Sequence, residues 1–205
     1  MKKIAFIGAG GINSWAFKHL IEMSKTFDKQ ELLYICIFDD DVVEEKNILR
    51  SSQDYTVEDL MMPKAEVLGK RYKYLYQNER ITKENLSRLD NFTDIILGVD
   101  NNKTRQILYE YALEKKKYLL DMRAQGTIMS FIVIDHKKDM SYYNEKYFSN
   151  EMVMERVGSC QLKVDIEKDH IENGNKIIAY FGMYGVYLKH LRDEELATNE
   201  WKMVY

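Results

Sequence analysis

Three glycines near the amino terminus stand where a nucleotide phosphate could be held. Gly8, Gly10 and Gly11 follow the apolar run of residues 4–7 and come before a segment with helical spacing. Glycines at a strand-to-helix turn let the backbone approach a phosphate, and the N–H groups of the helix then face the anion. Asn13 replaces the last glycine of G-x-G-x-x-G, which weakens a plain dinucleotide interpretation. A structural turn without a ligand is the alternative.

A carboxylate ends the second apolar run of the chain. Asp39 closes residues 31–39, and a carboxylate in this place can accept two hydrogen bonds from a ribose diol. Most of the acids clustered here are expected to face water: Asp39, Asp40, Asp41, Glu44 and Glu45. A solvated acidic turn therefore remains an equal interpretation of Asp39 taken alone.

Two cations and another aspartate could complete a triphosphate site. Arg50 offers a planar fork to phosphate, and Lys64 offers a point charge. Lys64 follows Pro63, which suits a helix start, where free N–H groups add positive potential. Asp100 would repel a triphosphate unless Mg²⁺ lay between them. The alternatives are a surface arginine paired with a preceding glutamate, an exposed helix lysine, and an aspartate that caps a helix.

The elements that would position these residues alternate between strand and helix. Apolar runs predict strands at 2–8, 31–39, 91–100, 118–126 and 127–135. Apolar residues three or four apart predict helices at 13–25, 63–77, 101–115 and 174–195, with Asn101 or Asn102 as a helix cap. This order predicts an α/β fold: a doubly wound, mostly parallel Rossmann-like sheet with a C-terminal antiparallel strand or strands and a terminal helix. One domain over 1–205 is expected, with loop at 40–62 and an irregular crossover-like segment at 136–170.

Composition restricts the possible partners. The 205 residues carry 30 Lys+Arg against 33 Asp+Glu, a net charge of −3, which gives no basic footprint for nucleic acid. No apolar run approaches the ~20 residues of a membrane-spanning helix, so no membrane partner is expected. Cys36 and Cys160 are the two cysteines, too few for a disulfide framework or a four-thiolate zinc site. A cytoplasmic protein without structural zinc is predicted.

The polar residues, taken together, resemble the pattern of the ThiF/MoeB/HesA family, the ubiquitin-activating-enzyme-like adenylyltransferases. That pattern has a G-x-G-G loop, then D-x-D followed by N-x-x-R at fixed spacing, a downstream lysine, and an aspartate after the next strand. In this chain it is matched, in order, by Gly8, Gly10, Gly11, Asp39, Asp41, Asn47, Arg50, Lys64 and Asp100. The resemblance covers roughly residues 2–135, with a weaker similarity in the helix at 174–192.

The resemblance implies an enzyme that uses ATP to activate the C-terminal carboxylate of a small ubiquitin-like or sulfur-carrier protein as an acyl-adenylate. The ATP-binding residues would be Gly8, Gly10, Gly11, Asp39, Asp41, Asn47, Arg50 and Lys64. By resemblance, Asp39 would bind the ribose, and Asn47 and Arg50 would hold the phosphates. Lys64 would stabilise the charge that develops during transfer, and Asp100 would organise Mg²⁺.

Two further features are compared with the family. Members often capture the adenylate on a cysteine, and Cys160 lies after the predicted sheet, where that thiol would have to be. Arg156 and Lys163 are candidates to lower its pKa, and an inert thiol is the alternative. Cys36, in the middle of a strand, is expected to be core.

Asp121 and Arg123 are similar to a D-x-R segment found in parts of the family. Arg123 could lie near the incoming carboxylate. A structural pair with Asp121 is an equal interpretation, since alternate strand residues share a face.

The chain departs from the family in two places. The paired C-x-x-C zinc motifs of many members are absent, and so is the preceding helical segment that carries an arginine to the neighbouring site in dimeric members. Reduced activity is therefore considered, as is a homodimer or pairing with a related subunit. A non-catalytic nucleotide-binding partner or scaffold of the same family is one alternative function, and an NAD- or FAD-dependent oxidoreductase is another.

Overall fold

The computed structural model describes residues 2–25, 33–48, 53–125, 128–135, 170–192, 194 and 200–204. Its strands are β1 Lys3–Ile7, β2 Tyr34–Phe38, β3 Leu75–Gln77, β4 Asp94–Leu97, β5 Tyr118–Gln125, β6 Ile128–Ile134 and β7 Glu200–Val204. Its helices are α1 Gly11–Ser24, α2 Glu45–Ile48, α3 Lys64–Tyr72, α4 Asn102–Glu114, α5 His170–Tyr180 and α6 Leu188–Leu191. A π-helical segment, Phe181–Tyr187, joins α5 to α6, and short 3₁₀ turns lie at Val57–Asp59 and Lys83–Leu89.

The strands form one seven-stranded sheet in the order β3-β2-β1-β4-β5-β6-β7. The pairings from β3 to β5 are parallel, and β6 and β7 are antiparallel additions at one edge. This confirms the predicted mostly parallel, doubly wound sheet. β1 and β4 are neighbours at the centre of the sheet, and the chain leaves them in opposite directions, from β1 to β2 and from β4 to β5. A crevice therefore opens between the carboxyl ends of β1 and β4.

Apolar side chains cover both faces of the sheet. On one face Phe6 packs with Phe17 of α1, Leu68 of α3 and Ile178 of α5. On the other face the strands pack with Leu108 of α4 and its neighbours. The sheet is therefore buried on both faces, as its unbroken apolar runs predicted. In the part of the chain described here, no helix is both long and apolar enough to cross a membrane.

The segment predicted as one helix over 63–77 is divided in two, so this prediction was wrong at its carboxyl end. Pro63 is the cap before α3, and the helix stops at Tyr72, where Lys73 takes the left-handed conformation with φ 60°. Leu75–Gln77 then turns back as edge strand β3 on β2. The Tyr76 ring lies 2.4 Å from where a Cβ on Gly69 would stand, so the glycine permits this return. Strand pairing outweighs the helical period here.

The last helix also departs from its predicted apolar stripe. Ile178, Val186 and Leu188 are buried as expected, but Phe181 is 45% exposed. The π-helical segment begins at Phe181, and its i→i+5 bonding shifts the phase of the stripe. The buried positions then recur every four residues across the junction, at Ile178, Gly182 and Val186.

Candidate functional site

The glycine loop joins β1 to α1 at the crevice. Gly8 has φ +86°, and a Cβ there would lie 3.0 Å from Val99 Cγ1 and 3.1 Å from the Gly98 oxygen. Gly8 is therefore required by the backbone turn and by the neighbouring strand end. Among the described residues, a Cβ on Gly10 would meet no atom within 4 Å. Gly10 is the position where another molecule can approach the backbone.

Asn13 links the two central strands beneath this loop. Its buried Nδ2 donates to the oxygens of Ile7 and Gly8 at 2.9 and 2.8 Å. A Cβ on Gly98, at the end of β4, would lie 2.5 Å from Asn13 Oδ1, so helix and strand approach closely. Asparagine thus supplies hydrogen bonds where the dinucleotide pattern has its last glycine. The sequence showed the departure but not this role.

Ala9 is held from both sides. Its N–H donates to Asp39 Oδ2 at 2.6 Å, and its oxygen accepts from the Tyr55 hydroxyl at 2.6 Å. Asp39 Oδ1 accepts a second N–H, that of Asp41, at 2.8 Å. Each oxygen of Asp39 keeps a lone pair for a further donor, such as a ribose hydroxyl. Tyr55 could not be predicted from the sequence, because it lies in a segment without a motif.

Burial shifts the pKa values of both groups beside Ala9 upward. Removal from water raises the pKa of Asp39, while the N–H bonds from Ala9 and Asp41 act in the opposite direction. Burial likewise raises the pKa of Tyr55 far above its usual value, so the hydroxyl stays a donor at neutral pH. The loop is thus clamped by a carboxylate and a neutral phenol.

Lys64 is the first residue of α3 and is only 6% exposed. Its Nζ donates to Asp41 Oδ2 at 3.1 Å, and its own N–H donates to the Asp41 oxygen at 2.9 Å. The alternative of an ordinary exposed helix lysine is therefore wrong. The ammonium also interacts electrostatically with Asp39 and opposes the rise in its pKa, and Asp39 Oδ2 accepts the Ala9 N–H of the glycine loop. A buried ammonium needs an anionic partner, and Asp41 supplies one.

Arg80 adds a cation that sequence reasoning missed. It follows β3, and its Nε donates to Asp40 Oδ1 at 3.0 Å, while Nη2 lies 3.7 Å from Asp41 Oδ1. One oxygen from each of Asp39, Asp40 and Asp41 lies within 4.8 Å of the others. Lys64 and Arg80 therefore offset much of the charge of this acidic turn.

Asn47 and Asp100 complete the predicted set within the described residues. Asn47 is buried, and its Oδ1 accepts from Glu44 N at 2.8 Å, which fixes α2. The Glu44 carboxylate raises the pKa of Lys46 by a hydrogen bond, and Asp41 and Asp100 add to this. Asp41 and Asp100 therefore lie within electrostatic reach of the same ammonium. Exposed carboxylate oxygens are the donors that Mg²⁺ prefers, so Asp100 fits that ion.

Asp121 is a buried carboxylate shared by two arginines. Arg123 Nε donates to its Oδ2 at 2.7 Å, which confirms the structural pairing within the D-x-R segment. Arg105 of α4 donates to Oδ1 and also to the oxygen of Val99. Because Asp100 follows Val99, Arg105 anchors the loop that carries the candidate Mg²⁺ ligand.

The cap of α4 is Asn101, whose Oδ1 accepts from Thr104 N at 3.1 Å. The alternative that Asp100 caps this helix was therefore wrong.

The thiols are divided between described and undescribed parts of the chain. Cys36 lies buried in β2, as predicted, and burial raises the pKa of its thiol to about 11. Arg50, Cys160, Arg156 and Lys163 lie outside the described residues.

Residues 1–180 match the sequence model of the ThiF family. The chain belongs to the ThiF family. This confirms the resemblance drawn from the polar residues. A comparison of this ThiF-family chain with curated proteins found none that matches it in sequence.

Solved structures share the fold of this ThiF-family chain. MccB from E. coli with ATP has a TM-score of 0.74 and 14% identity, over 100% of this chain and 60% of MccB. MccB with AMPCPP and selenomethionine MccA has a TM-score of 0.73 and 14% identity, over 100% and 60%. PaaA has a TM-score of 0.69 and 15% identity, over 100% and 61%. The ThiF-family chain therefore spans about 60% of the length of these proteins.

Proposed function

We propose that this chain is an ATP-dependent adenylyltransferase that activates the carboxylate of a small peptide or carrier protein. Family membership supports the proposal, and so does the fold shared with MccB, which was solved with ATP. The observation that carries it is the buried ammonium of Lys64, held 3.1 Å from Asp41 Oδ2 beside the glycine loop. A hydride-transferring enzyme needs a pyrophosphate cradle, whereas a triphosphate also needs such a cation.

The reaction forms one bond and breaks one. A carboxylate oxygen of the substrate attacks the α-phosphorus of ATP, and an acyl-phosphate bond forms. The bond from that phosphorus to the bridging oxygen breaks, and pyrophosphate leaves with the electron pair. An ionised carboxylate needs no base, so the protein acts by in-line positioning and by offsetting charge.

The described residues have separate roles in this proposal. Asp39 accepts from the ribose hydroxyls, and the N–H groups after Gly10 face the phosphates. When ATP binds, the Lys64 ammonium donates to the phosphate oxygens instead of to Asp41. Asp100 would hold Mg²⁺, which would supply positive charge against the phosphates. By the resemblance, Asn47 and Arg50 hold the phosphates, and Arg50 lies outside the described residues.

The resemblance to the family and the structural similarity to MccB each support one class of substrate. A ubiquitin-like or sulfur-carrier protein would present its C-terminal carboxylate at the crevice. A short peptide is the second form of the same chemistry, because MccB was also solved with MccA. Cys160 would accept the acyl group as a thioester only if the substrate passes to a second step. A homodimer, or a pair with a related subunit, is part of the proposal.

ATP binding is tested by calorimetric titration of the purified chain with MgATP. Wild type is expected to bind MgATP in preference to NAD⁺, and Lys64→Met is expected to bind MgATP weakly. Lys70→Met is the matched control, because Lys70 lies on the same helix, is 59% exposed and pairs with Glu66. Equal binding by the two variants, or tighter binding of NAD⁺, would contradict the proposal.

Activity is tested by pyrophosphate–ATP exchange. The probes are a peptide library with free carboxyl termini, the same library with amidated termini, and a panel of ubiquitin-like and sulfur-carrier proteins. Exchange is expected only with free carboxylates, and Lys64→Met is expected to lower its rate by about 10²–10³-fold, as for the loss of one transition-state donor. Exchange that persists with amidated termini would overturn carboxylate activation.

A further inference from the structure

A helix from the far end of the chain touches the start of α1. A Cβ on Gly11, the first residue of α1, would lie 2.4 Å from Asn175 Nδ2 and 3.0 Å from Asn175 Cγ. Asn175 belongs to α5 and is only 5% exposed. Its carboxamide therefore rests directly on the backbone of Gly11.

Two adjacent glycines of the loop thus lack side chains for different reasons. No atom in the described part of the chain lies within 4 Å of a Cβ on Gly10, so a ligand can approach the backbone there. Gly11 faces the protein, and a methyl group there would collide with a buried side chain. Since a buried carboxamide cannot easily move aside, Gly11 is required by its packing partner in α5.

The contact reaches a part of the loop that its other clamps do not. Asn13 bonds to the oxygens of Ile7 and Gly8, and Asp39 and Tyr55 bond to Ala9. None of these bonds extends to Gly11, whose oxygen accepts from Ser14 Oγ of the same helix at 3.3 Å. Asn175 supports the start of α1, where the free N–H groups lie, from outside that helix.

We propose that Asn175 is a positioning residue for the nucleotide loop, which it holds through Gly11. This inference rests on the proposed binding of ATP by the chain. The first turn of α1 binds phosphate equally in the ground state and the transition state. Loosening it should therefore weaken MgATP binding and leave the turnover rate nearly unchanged.

The test is a double-mutant cycle between Gly11 and Asn175, read by MgATP titration and by exchange kinetics. Asn175→Ala is expected to raise the Kd and KM for MgATP by about 5- to 10-fold, with kcat within about 2-fold, as for lost uniform binding. Gly11→Ala alone is expected to weaken binding by more than about 10-fold, because the methyl group displaces the first turn. Gly11→Ala/Asn175→Ala should bind more tightly than Gly11→Ala, since the methyl group enters the vacated space.

A parallel cycle with Gly10 supplies the control. Gly10→Ala should also weaken MgATP binding, but Asn175→Ala should not restore it, because the two residues do not face one another. Urea unfolding of every variant establishes that each is folded at the assay temperature.

The outcomes separate this inference from the proposed function. If wild type binds MgATP and the double variant is no tighter than Gly11→Ala, the positioning role is wrong and the proposed function stands. If Asn175→Ala lowers kcat without changing KM, the role is also wrong. If wild type binds no MgATP, both are overturned.

Discussion

At the scale of single residues, Tyr55 tests whether the glycine loop must be held rigid. Its hydroxyl donates to the Ala9 oxygen at 2.6 Å in a buried setting. Tyr55→Phe removes that bond and keeps the ring, so the free energy of unfolding should fall by about 1–2 kcal/mol, because the acceptor is left without its donor. MgATP affinity should fall as well, by a few fold, as measured by titration.

Tyr111→Phe is the control for this change. Its hydroxyl donates to Asp90 Oδ1 at 2.8 Å. Asp90 comes before β4, so this hydrogen bond lies at the amino ends of the strands, away from the crevice. The variant should lose stability without losing MgATP affinity. Equal loss of affinity in the two variants would mean that stability alone sets binding.

The thiols provide a second test at this scale. Burial raises the pKa of Cys36 from 9.0 to about 11, so it holds about 100-fold less thiolate than an ordinary cysteine at pH 8. In the variant Cys160→Ser, native protein should therefore resist iodoacetamide, and urea-unfolded protein should take up one label. Rapid native labelling of this variant would contradict the burial of Cys36.

The same shift contributes to the pH dependence of stability in alkali, beside the raised pKa values of buried tyrosines such as Tyr55. The folded-state pKa of Cys36 is above the unfolded value, so the folded state holds its proton more tightly. The protonated Cys36 thiol makes its full contribution to the free energy of unfolding below pH 9, and this contribution is lost as the pH rises through about 11. Urea unfolding of wild type and Cys36→Ala across this range measures it, and parallel pH profiles would oppose this assignment.

At the scale of elements, the π-helical segment owes its position to one of its two glycines. A Cβ on Gly182 would lie 2.3 Å from Met122 Sδ of β5, whereas a Cβ on Gly185 would lie 3.7 Å from its nearest neighbour, Phe181 Cδ1. Gly182→Ala should therefore destabilise by about 1–3 kcal/mol through overpacking. Gly185→Ala should be neutral or stabilise by up to about 1 kcal/mol.

Denaturant unfolding of the two variants compares them under one condition. Their difference isolates the close approach of helix and sheet, because both changes add the same methyl group to the same segment. Similar free energies of unfolding would show that this approach does not hold the segment in place.

At the scale of the whole molecule, His190 ties the last helix to the sheet. Its Nε2 lies 2.8 Å from Oδ1 of Asp94, a carboxylate that is 1% exposed at the start of β4. The ring also stacks on Tyr118, with centroids 3.6 Å apart. His190→Ala should lower the free energy of unfolding by about 2–3 kcal/mol, because a buried carboxylate loses a partner.

His19→Ala is the matched control for this tie. His19 lies on α1, where its ring packs edge-on against Tyr180, and its charged partner Glu22, 3.6 Å away, has a side chain that is 56% exposed. Its loss should cost less than about 1 kcal/mol. If the two histidine variants unfold at the same urea concentration, the tie contributes nothing beyond an exposed pair.

The sequence by itself determined the order of the buried strands and of the helices that connect them. Buried parallel strands are unbroken apolar runs, so β1, β2, β4 and β5 are visible in one dimension. Because parallel strands end at one edge, residues that follow them converge there, and this brought Asp39 and Asp100 to the same crevice as the glycine loop. The family pattern added Lys64 and Asn47, which the structure places there.

Only the tertiary structure decided which partners those residues have. Tyr55, Arg80, Arg105 and Asn175 reach the site from segments without motifs, since contacts between distant segments leave no spacing in the sequence. The end of α3 depended on an edge strand pairing with β2, and the exposure of Phe181 depended on a change of helical pitch. Local periodicity reports which face an element buries, but competition between packing arrangements sets where it ends and what holds its loops.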